Sequence, residues 1–221
     1  MTRIAIVGSG LIGRAWATVF AGHGFDVSLT DVAPGAPEAA RDFVAGSFAE
    51  LGALGLVADP AHAASRVTVA RDLADAVRYA TLVQENGPER LEAKAALFAE
   101  MDRLAPPDCI LASSTSFIVA SAFAQEVKGR ARCLVAHPVN PPHLVPIVEL
   151  APAPFTDPDV VRRAYAIYEQ AGQTPIVLKR EAPGFVLNRL QAVLLAEAFR
   201  IVGAGVCSPQ DLDKTIKDGL G

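Results

Sequence analysis

The segment Arg3-Ile-Ala-Ile-Val-Gly-Ser-Gly-Leu-Ile-Gly13 decides the fold. Its first five residues have the apolar pattern of a short buried strand, and a helical pattern follows the glycines to about residue 21. In a GxGxxG sequence the first glycine permits a tight turn, and the second lets a pyrophosphate approach the backbone. The third lets the helix pack closely on the strand, and the free N–H groups at the helix start favour a phosphate. The segment therefore predicts a dinucleotide-binding site.

A second predicted strand, residues 26–30, ends at Asp31, about twenty residues after the glycines. An acidic side chain at this point can accept hydrogen bonds from the adenosine ribose hydroxyls and would repel a 2′-phosphate. The sequence therefore predicts NAD as the cofactor in preference to NADP.

Strand and helix patterns alternate along residues 1–182. Strands are also predicted at 67–69, 80–84, 109–112, 132–136, 145–149 and 174–177, with helices at 36–54, 88–104, 117–125 and 157–171. This alternation is typical of an α/β fold, a Rossmann-like doubly wound and mainly parallel sheet. Ligands of such sheets bind beyond the carboxyl ends of the strands.

The composition changes after residue 182. Residues 183–202 are predicted to form a helix with Pro183 at its start, apolar on most of its circumference, and a second helix follows Ser208. Two helices cannot enclose that much apolar surface. Residues 183–221 are therefore expected to be the first helices of an all-helical C-terminal domain, incomplete by itself, that forms a homodimer.

The overall composition excludes several classes of partner. The chain of 221 residues has 51% apolar and 20% charged residues and a net charge of −4, which gives no reason to expect nucleic acid or an anionic membrane. Its cysteines, at 109, 133 and 207, are too far apart to suggest a metal site or a disulfide framework. No signal peptide and no membrane-spanning run is evident. A cytoplasmic location is expected.

The segment from His137 to Glu149, His-Pro-Val-Asn-Pro-Pro-His-Leu-Val-Pro-Ile-Val-Glu, is the candidate catalytic segment. A histidine can take a proton from an alcohol near neutral pH. A carboxylate bound to its second ring nitrogen would fix the tautomer and stabilise the imidazolium that forms. By themselves, the two residues could also be incidental features of a surface loop stiffened by its prolines.

Other polar residues fall at predicted strand ends or among apolar neighbours, and each has two interpretations. Ser113 and Ser114 could cap the next helix, whereas Ser116 is expected to face the cofactor cleft. Glu85 could be a solvated carboxylate or a cofactor-side group, and Arg90 could pair with it or reach a phosphate. Asn188 could bond to nearby backbone, to a substrate oxygen or to the catalytic histidine.

From Arg3 to its last residue the chain resembles the 3-hydroxyacyl-CoA dehydrogenase superfamily, most of all its L-gulonate 3-dehydrogenase and lambda-crystallin branch. The resemblance rests on seven motifs: Gly8–Gly13, Gln84-Glu-Asn-Gly-Pro-Glu-Arg90, Ser113–Ser116, His137-Pro-Val-Asn-Pro-Pro142, Val148-Glu-Leu150, Gly184-Phe-Val-Leu-Asn-Arg189 and Ser208-Pro-Gln-Asp-Leu-Asp213.

The resemblance implies hydride transfer to NAD from C3 of a hydroxy acid, without a metal. It implies that His137 is the general base and Glu149 its orienting partner. Ser116 and Asn188 would hold the substrate's hydroxyl or carbonyl oxygen, and Asn140 would line the same cleft. The implied cofactor-side residues are Gly8, Gly10, Leu11, Ile12, Gly13, Asp31, Glu85 and Arg90.

Two departures from the acyl-CoA members of the superfamily bear on the substrate. Those members resemble one another in carrying lysines after the second strand and Phe-Phe-Asn-Pro-Val after the histidine. Here the first lysine is Lys94, and Pro-Val-Asn-Pro-Pro follows His137. Both differences favour a small free hydroxy acid such as L-gulonate. A 3-hydroxyacyl-CoA such as 3-hydroxybutyryl-CoA, a carnitine-type substrate, a non-catalytic crystallin-like protein and a dinucleotide sensor stay open as alternatives.

Overall fold

The computed structural model describes residues 2–220. Its internal contacts divide the chain into two compact units, Met1–Pro183 and Gly184–Gly221, one residue beyond the boundary predicted from the sequence.

The first unit is built on one eight-stranded sheet with the order β3-β2-β1-β4-β5-β6-β7-β8. The strands are β1 Arg3–Val7, β2 Asp26–Thr30, β3 Val67–Val69, β4 Leu82–Glu85, β5 Ile110–Ser113, β6 Cys133–Pro138, β7 Ile147–Pro152 and β8 Thr174–Val177. Neighbouring strands are parallel except for β6 and β7, which are antiparallel. The predicted Rossmann-like, mainly parallel fold is confirmed.

Helices cover both faces of this sheet, and the second unit is helical. The helices are α1 Leu11–Gly22, α2 Ala36–Ala53, α3 Pro60–Ser65, α4 Leu73–Val77, α5 Leu91–Leu104, α6 Ala120–Ala124, α7 Pro158–Gln170, α8 Leu187–Gly203 and α9 Pro209–Gly219. The short helices α3 and α4 were not predicted from the sequence, because neither is long enough to show a helical period.

Three predicted helix starts are wrong. Helix α6 begins at Ala120 instead of residue 117, because Val119 has an extended backbone with φ −69° and ψ 152°. Helix α5 begins at Leu91 instead of residue 88, because Arg90 has an extended backbone with φ −134° and ψ 123°. Helix α8 begins at Leu187 and not at Pro183. The reason is that Gly184 and Phe185 both have positive φ, 74° and 50°, in the left-handed region that a right-handed helix cannot include.

Aromatic side chains fix α1 and α7 on one face of the sheet. Trp16 stacks on Phe20 with ring centroids 5.3 Å apart and lies 5.4 Å from Tyr168 of α7. All three rings are fully buried in the main apolar cluster. Burial of an apolar or aromatic side chain of this size contributes roughly 1.5–3 kcal/mol or more. This packing holds the first turn of α1, and the glycines before it, at the carboxyl end of β1.

The three cysteines are free thiols, and Cys109 and Cys133 are buried at the starts of β5 and β6. Burial raises the pKa of both thiols to about 12, so both are protonated at neutral pH and unsuited to act as nucleophiles. Within residues 2–220 no helix is long and apolar enough to cross a membrane. The cytoplasmic location stays a prediction.

Candidate active site

The glycine segment between β1 and α1 forms a turn in which the three glycines differ in what an added Cβ would contact. Gly8 has φ 89°, and a Cβ there would lie 2.8 Å from the carbonyl of Asn86. A Cβ on Gly13 would overlap the carbonyl oxygen of Gly8. Gly10 has an ordinary φ of −65°, and a Cβ there would meet nothing within 4 Å. Neither backbone conformation nor packing requires glycine at position 10, and the predicted approach of a pyrophosphate to the backbone stays the reason to expect glycine there.

Asp31 is fixed beside this turn at the end of β2. Its Oδ2 accepts hydrogen bonds from the backbone N–H and the hydroxyl of Ser9, at 2.7 and 3.1 Å, and its Oδ1 accepts from the N–H of Ala33 at 2.9 Å. The acidic group is therefore held next to the glycines, as a group that binds adenosine ribose must be. Leu11 is 66% exposed, while Ile12 packs partly buried against the apolar cluster.

His137 and Glu149 are brought together by the antiparallel pairing of β6 with β7, in which they lie directly opposite each other. The distance from Nδ1 of His137 to Oε2 of Glu149 is 2.8 Å. The two residues are 4% and 0% exposed. Because an ionised carboxylate can only accept a hydrogen bond, the pair places the ring proton on Nδ1 and makes Nε2 the basic nitrogen. The two residues thus lie on buried strands and not in a surface loop, and the role of His137 as general base stays a prediction.

Glu85 is buried, which contradicts its interpretation as a solvated loop carboxylate. Nζ of Lys94 lies 2.9 and 2.7 Å from its two carboxylate oxygens. The Ser113 hydroxyl and the Gly87 N–H also donate to it, at 2.6 and 2.7 Å. The suggested pairing with Arg90 is wrong, because Lys94 takes that place while Arg90 is exposed just before α5. Contacts of Glu85 and Arg90 with the cofactor stay predictions.

Ser113 and Ser114 do not cap a helix, so that interpretation is wrong as well. Helix α6 begins six residues after Ser114, with Val119 in the capping position and no side-chain cap. The hydroxyl of Ser114 instead accepts from the Trp16 indole N–H at 3.1 Å and from the Gln84 amide at 2.7 Å, and donates to Asn86 Oδ1 at 2.7 Å. These bonds tie α1 to the ends of β4 and β5.

The remaining predicted residues lie on two loops and in the second unit. Ser116 is exposed on the loop that follows β5, and Asn140 is exposed on the loop between β6 and β7. Asn188 is half-buried in the first turn of α8. Among the residues described, no group of His, Cys, Asp or Glu side chains could hold a metal ion. The substrate-binding roles of all three residues stay predictions.

Sequence reasoning missed Lys94, Gln84 and Glu89. Lys94 lies on the same side of α5 as the buried Phe98 and Met101, and a lysine in an apolar stripe indicates a buried acidic partner. Gln84 is fully buried inside β4 and accepts a hydrogen bond from the Tyr168 hydroxyl. Glu89 lies on the loop before α5 and accepts three hydrogen bonds from residues 115–117. No sequence signal identifies its partners, because they come from another loop.

Comparison with known proteins identifies the family. Residues 3–182 match the family described as 3-hydroxyacyl-CoA dehydrogenase, NAD binding domain, and residues 184–221 match its C-terminal domain. The chain belongs to the 3-hydroxyacyl-CoA dehydrogenase family. Its members are NAD-dependent oxidoreductases that act on 3-hydroxy acids or 3-hydroxyacyl groups, and the cofactor is NAD.

Relatives within the 3-hydroxyacyl-CoA dehydrogenase family differ in their named substrates. The lambda-crystallin homolog of Bos taurus is 45% identical over 99% of this chain and 69% of its own length. An L-carnitine dehydrogenase of Pseudomonas sp is 38% identical over 98% of this chain and 67% of its own length. The crystal structure of 3-hydroxybutyryl-CoA dehydrogenase from Escherichia coli has a TM-score of 0.92 at 31% identity, covering 100% of this chain and 47% of that one.

The glycine turn generates the first prediction. Gly10→Ala should fold like the parent chain but bind NAD about tenfold or more weakly, a loss of at least about 1.4 kcal/mol, because its Cβ enters the space of the pyrophosphate. Isothermal titration with NAD and thermal unfolding measure the two effects.

Gly46→Ala in α2 is the matched control for Gly10→Ala, since a Cβ there also meets nothing within 4 Å. It should leave NAD affinity unchanged. If both variants bind NAD as the parent does, the pyrophosphate does not lie against Gly10.

Proposed function

We propose that the chain oxidises the 3-hydroxyl of a small free hydroxy acid of the L-gulonate type, with hydride transfer to NAD. The observation that carries the proposal is the buried 2.8 Å hydrogen bond between His137 and Glu149, in a chain whose family binds NAD. The bond leaves Nε2 as the basic nitrogen, which is what removal of a proton from an alcohol requires.

In the proposed reaction the substrate loses a proton and a hydride and becomes a 3-oxo acid. Nε2 of His137 takes the hydroxyl proton, and Glu149 stabilises the imidazolium that forms. NAD, when bound, would supply the acceptor for the hydride that leaves C3. Ser116 and Asn188 would orient the reacting oxygen, and Asn140 would line the cleft. The cofactor would be held by Gly8, Gly10, Leu11, Ile12, Gly13 and Asp31, with Glu85 and Arg90 on the same side.

Charge around α2, α3 and α4 supports a free acid over a CoA ester. This region has no lysine, and three of its arginines already pair with carboxylates: Arg41 with Asp42, Arg66 with Asp26 and Arg71 with Asp75. The first lysine of the chain, Lys94, is 2% exposed and paired with Glu85. Few cations are thus left for CoA phosphates. A CoA ester and a carnitine-type substrate stay the alternatives, since relatives with those names exist.

The substrate is tested by following NADH formation at 340 nm with NAD and L-gulonate, L-carnitine or 3-hydroxybutyryl-CoA. The highest kcat/KM is expected with L-gulonate or a similar free acid. A preference for the CoA ester would contradict the charge argument. NAD binding without turnover of any of the three would favour the crystallin-like or sensor alternative.

The general base is tested by His137→Gln, which keeps a polar side chain but removes the basic nitrogen. We expect kcat to fall by about 10² or more, in line with loss of general-base catalysis, while NAD affinity stays the same. The control is His62→Gln, a change of an exposed histidine on α3. An unchanged kcat for His137→Gln would eliminate it as the base.

We also propose a homodimer formed through the C-terminal helices. In α8 no residue is buried, and four of its apolar side chains are between 56% and 76% exposed: Leu190, Val193, Leu195 and Phe199. Apolar exposure on this scale is typical of an interaction surface. Sedimentation equilibrium should give a dimer that Phe199→Glu dissociates and Arg200→Gln does not. A monomeric parent chain would contradict the proposal.

A further inference from the structure

The loop that follows β5, residues 114–119, contains neither helix nor strand, so regular backbone hydrogen bonds do not hold it in place. Ser116 and Phe117 on this loop are exposed, whereas Thr115 between them and the strand is 2% exposed. A short exposed serine side chain can bind a substrate oxygen reproducibly only if its backbone is held in place.

A single carboxylate oxygen provides that support. Oε1 of Glu89 accepts hydrogen bonds from the backbone N–H groups of Ser116 and Phe117, at 3.2 and 3.1 Å, and from the Thr115 hydroxyl. The Thr115 hydroxyl oxygen accepts in turn from the N–H groups of Phe117 and Ile118, at 3.3 and 2.9 Å. The acid and the threonine together bind the backbone N–H groups of Ser116 and of the two residues after it.

The threonine is itself anchored to the interior. Its N–H donates to the Ser113 hydroxyl oxygen at 3.2 Å, and that hydroxyl donates to the buried Glu85. Glu85 is ion-paired with Lys94, and both side chains are 1% exposed. The loop therefore has a rigid buried attachment at Thr115 and an exposed attachment at Glu89.

We propose that Glu89 is a positioning residue for Ser116. The inference rests on the proposed function, in which Ser116 orients the reacting oxygen. Without the carboxylate, the Ser116 N–H and the Thr115 hydroxyl lose this acceptor and the Phe117 N–H keeps only its longer bond to Thr115, so the loop gains freedom at the serine. A displacement of about 1 Å in a positioning group can reduce the rate by about 10².

The experiment compares Glu89→Ala, Glu89→Gln and Glu92→Ala. Glu92 is the matched control, because it is an exposed glutamate in the first turn of α5. For Glu89→Ala we expect kcat/KM for the hydroxy acid to fall by about 10- to 100-fold, with the dissociation constant of NAD within about twofold of the parent. Glu89→Gln keeps an acceptor oxygen and should recover most of the loss, and Glu92→Ala should match the parent chain.

A double-mutant cycle tests whether Glu89 acts through Ser116. In a Ser116→Ala background, Glu89→Ala should cost less than about twofold in kcat/KM, because the group that it positions has already been removed. Independent, multiplying losses would overturn the proposal. A matching loss of NAD affinity would overturn it too, since Glu89 would then act on the cofactor.

Hydrogen exchange gives a readout that does not depend on activity. A peptide covering residues 115–118 should exchange faster in Glu89→Ala than in Glu92→Ala or the parent, and unchanged exchange would overturn the proposal. Failure of the proposed function has a different signature. In that case the parent chain turns over no hydroxy acid, which removes the premise about Ser116, whereas an active parent with an unaffected Glu89→Ala overturns this inference alone.

Discussion

The reversal of chain direction between β6 and β7 is the constraint on which the site depends. In a sheet that is otherwise parallel between neighbours, this one antiparallel pair sets His137 directly opposite Glu149. A cross-strand pair has side chains about 4.5–5.5 Å apart at Cβ, close enough for the imidazole and carboxylate to bond without any other element. A parallel arrangement would need a crossover connection of a dozen or more residues in place of the short loop between β6 and β7. The orientation of the His137 ring is thus a property of the hairpin.

Beneath the cleft, polar groups hold the ends of several strands at fixed positions. Gln84 donates to the Ser114 hydroxyl at 2.7 Å and accepts from the Tyr168 hydroxyl, so that β4, β5 and α7 are joined inside an apolar core. A buried polar network lowers stability if one of its groups lacks a hydrogen-bond partner. If every group has a partner, the network favours one packing of the core. Here each hydrogen-bonding group of the Gln84 side chain and the Ser114 hydroxyl has a partner. The network therefore supports a single geometry for the loops above it.

The sequence predicts all eight strands and the glycine turn, because these follow from local patterns and from a motif with defined spacing, whereas the approach of Glu149 to His137 is implied by the family resemblance. It does not predict the partners of Glu85, Ser114 or Glu89. Most of their contacts come from residues 9 to 98 positions away in the chain, and those between the ends of β4 and β5 depend on how these two strands are aligned. Helix starts were wrong for a different reason, since the backbone at Arg90, and at Gly184 and Phe185, departs from helical geometry although the side-chain pattern there is compatible with a helix.

The buried ion pair of Glu85 with Lys94 is better explained as a backbone anchor than as a source of stability. Two charges lose hydration when they are buried, and apolar side chains of the same volume often serve stability equally well. Apolar replacements would, however, leave the Gly87 N–H and the Ser113 hydroxyl without the acceptor that they now share. Gly87 lies beside the Gly8 turn, and Ser113 begins the loop that carries Ser116. One carboxylate thus ties the segment beside the glycine turn to the end of the strand that leads into the Ser116 loop, and Lys94 is its buried ion-pair partner.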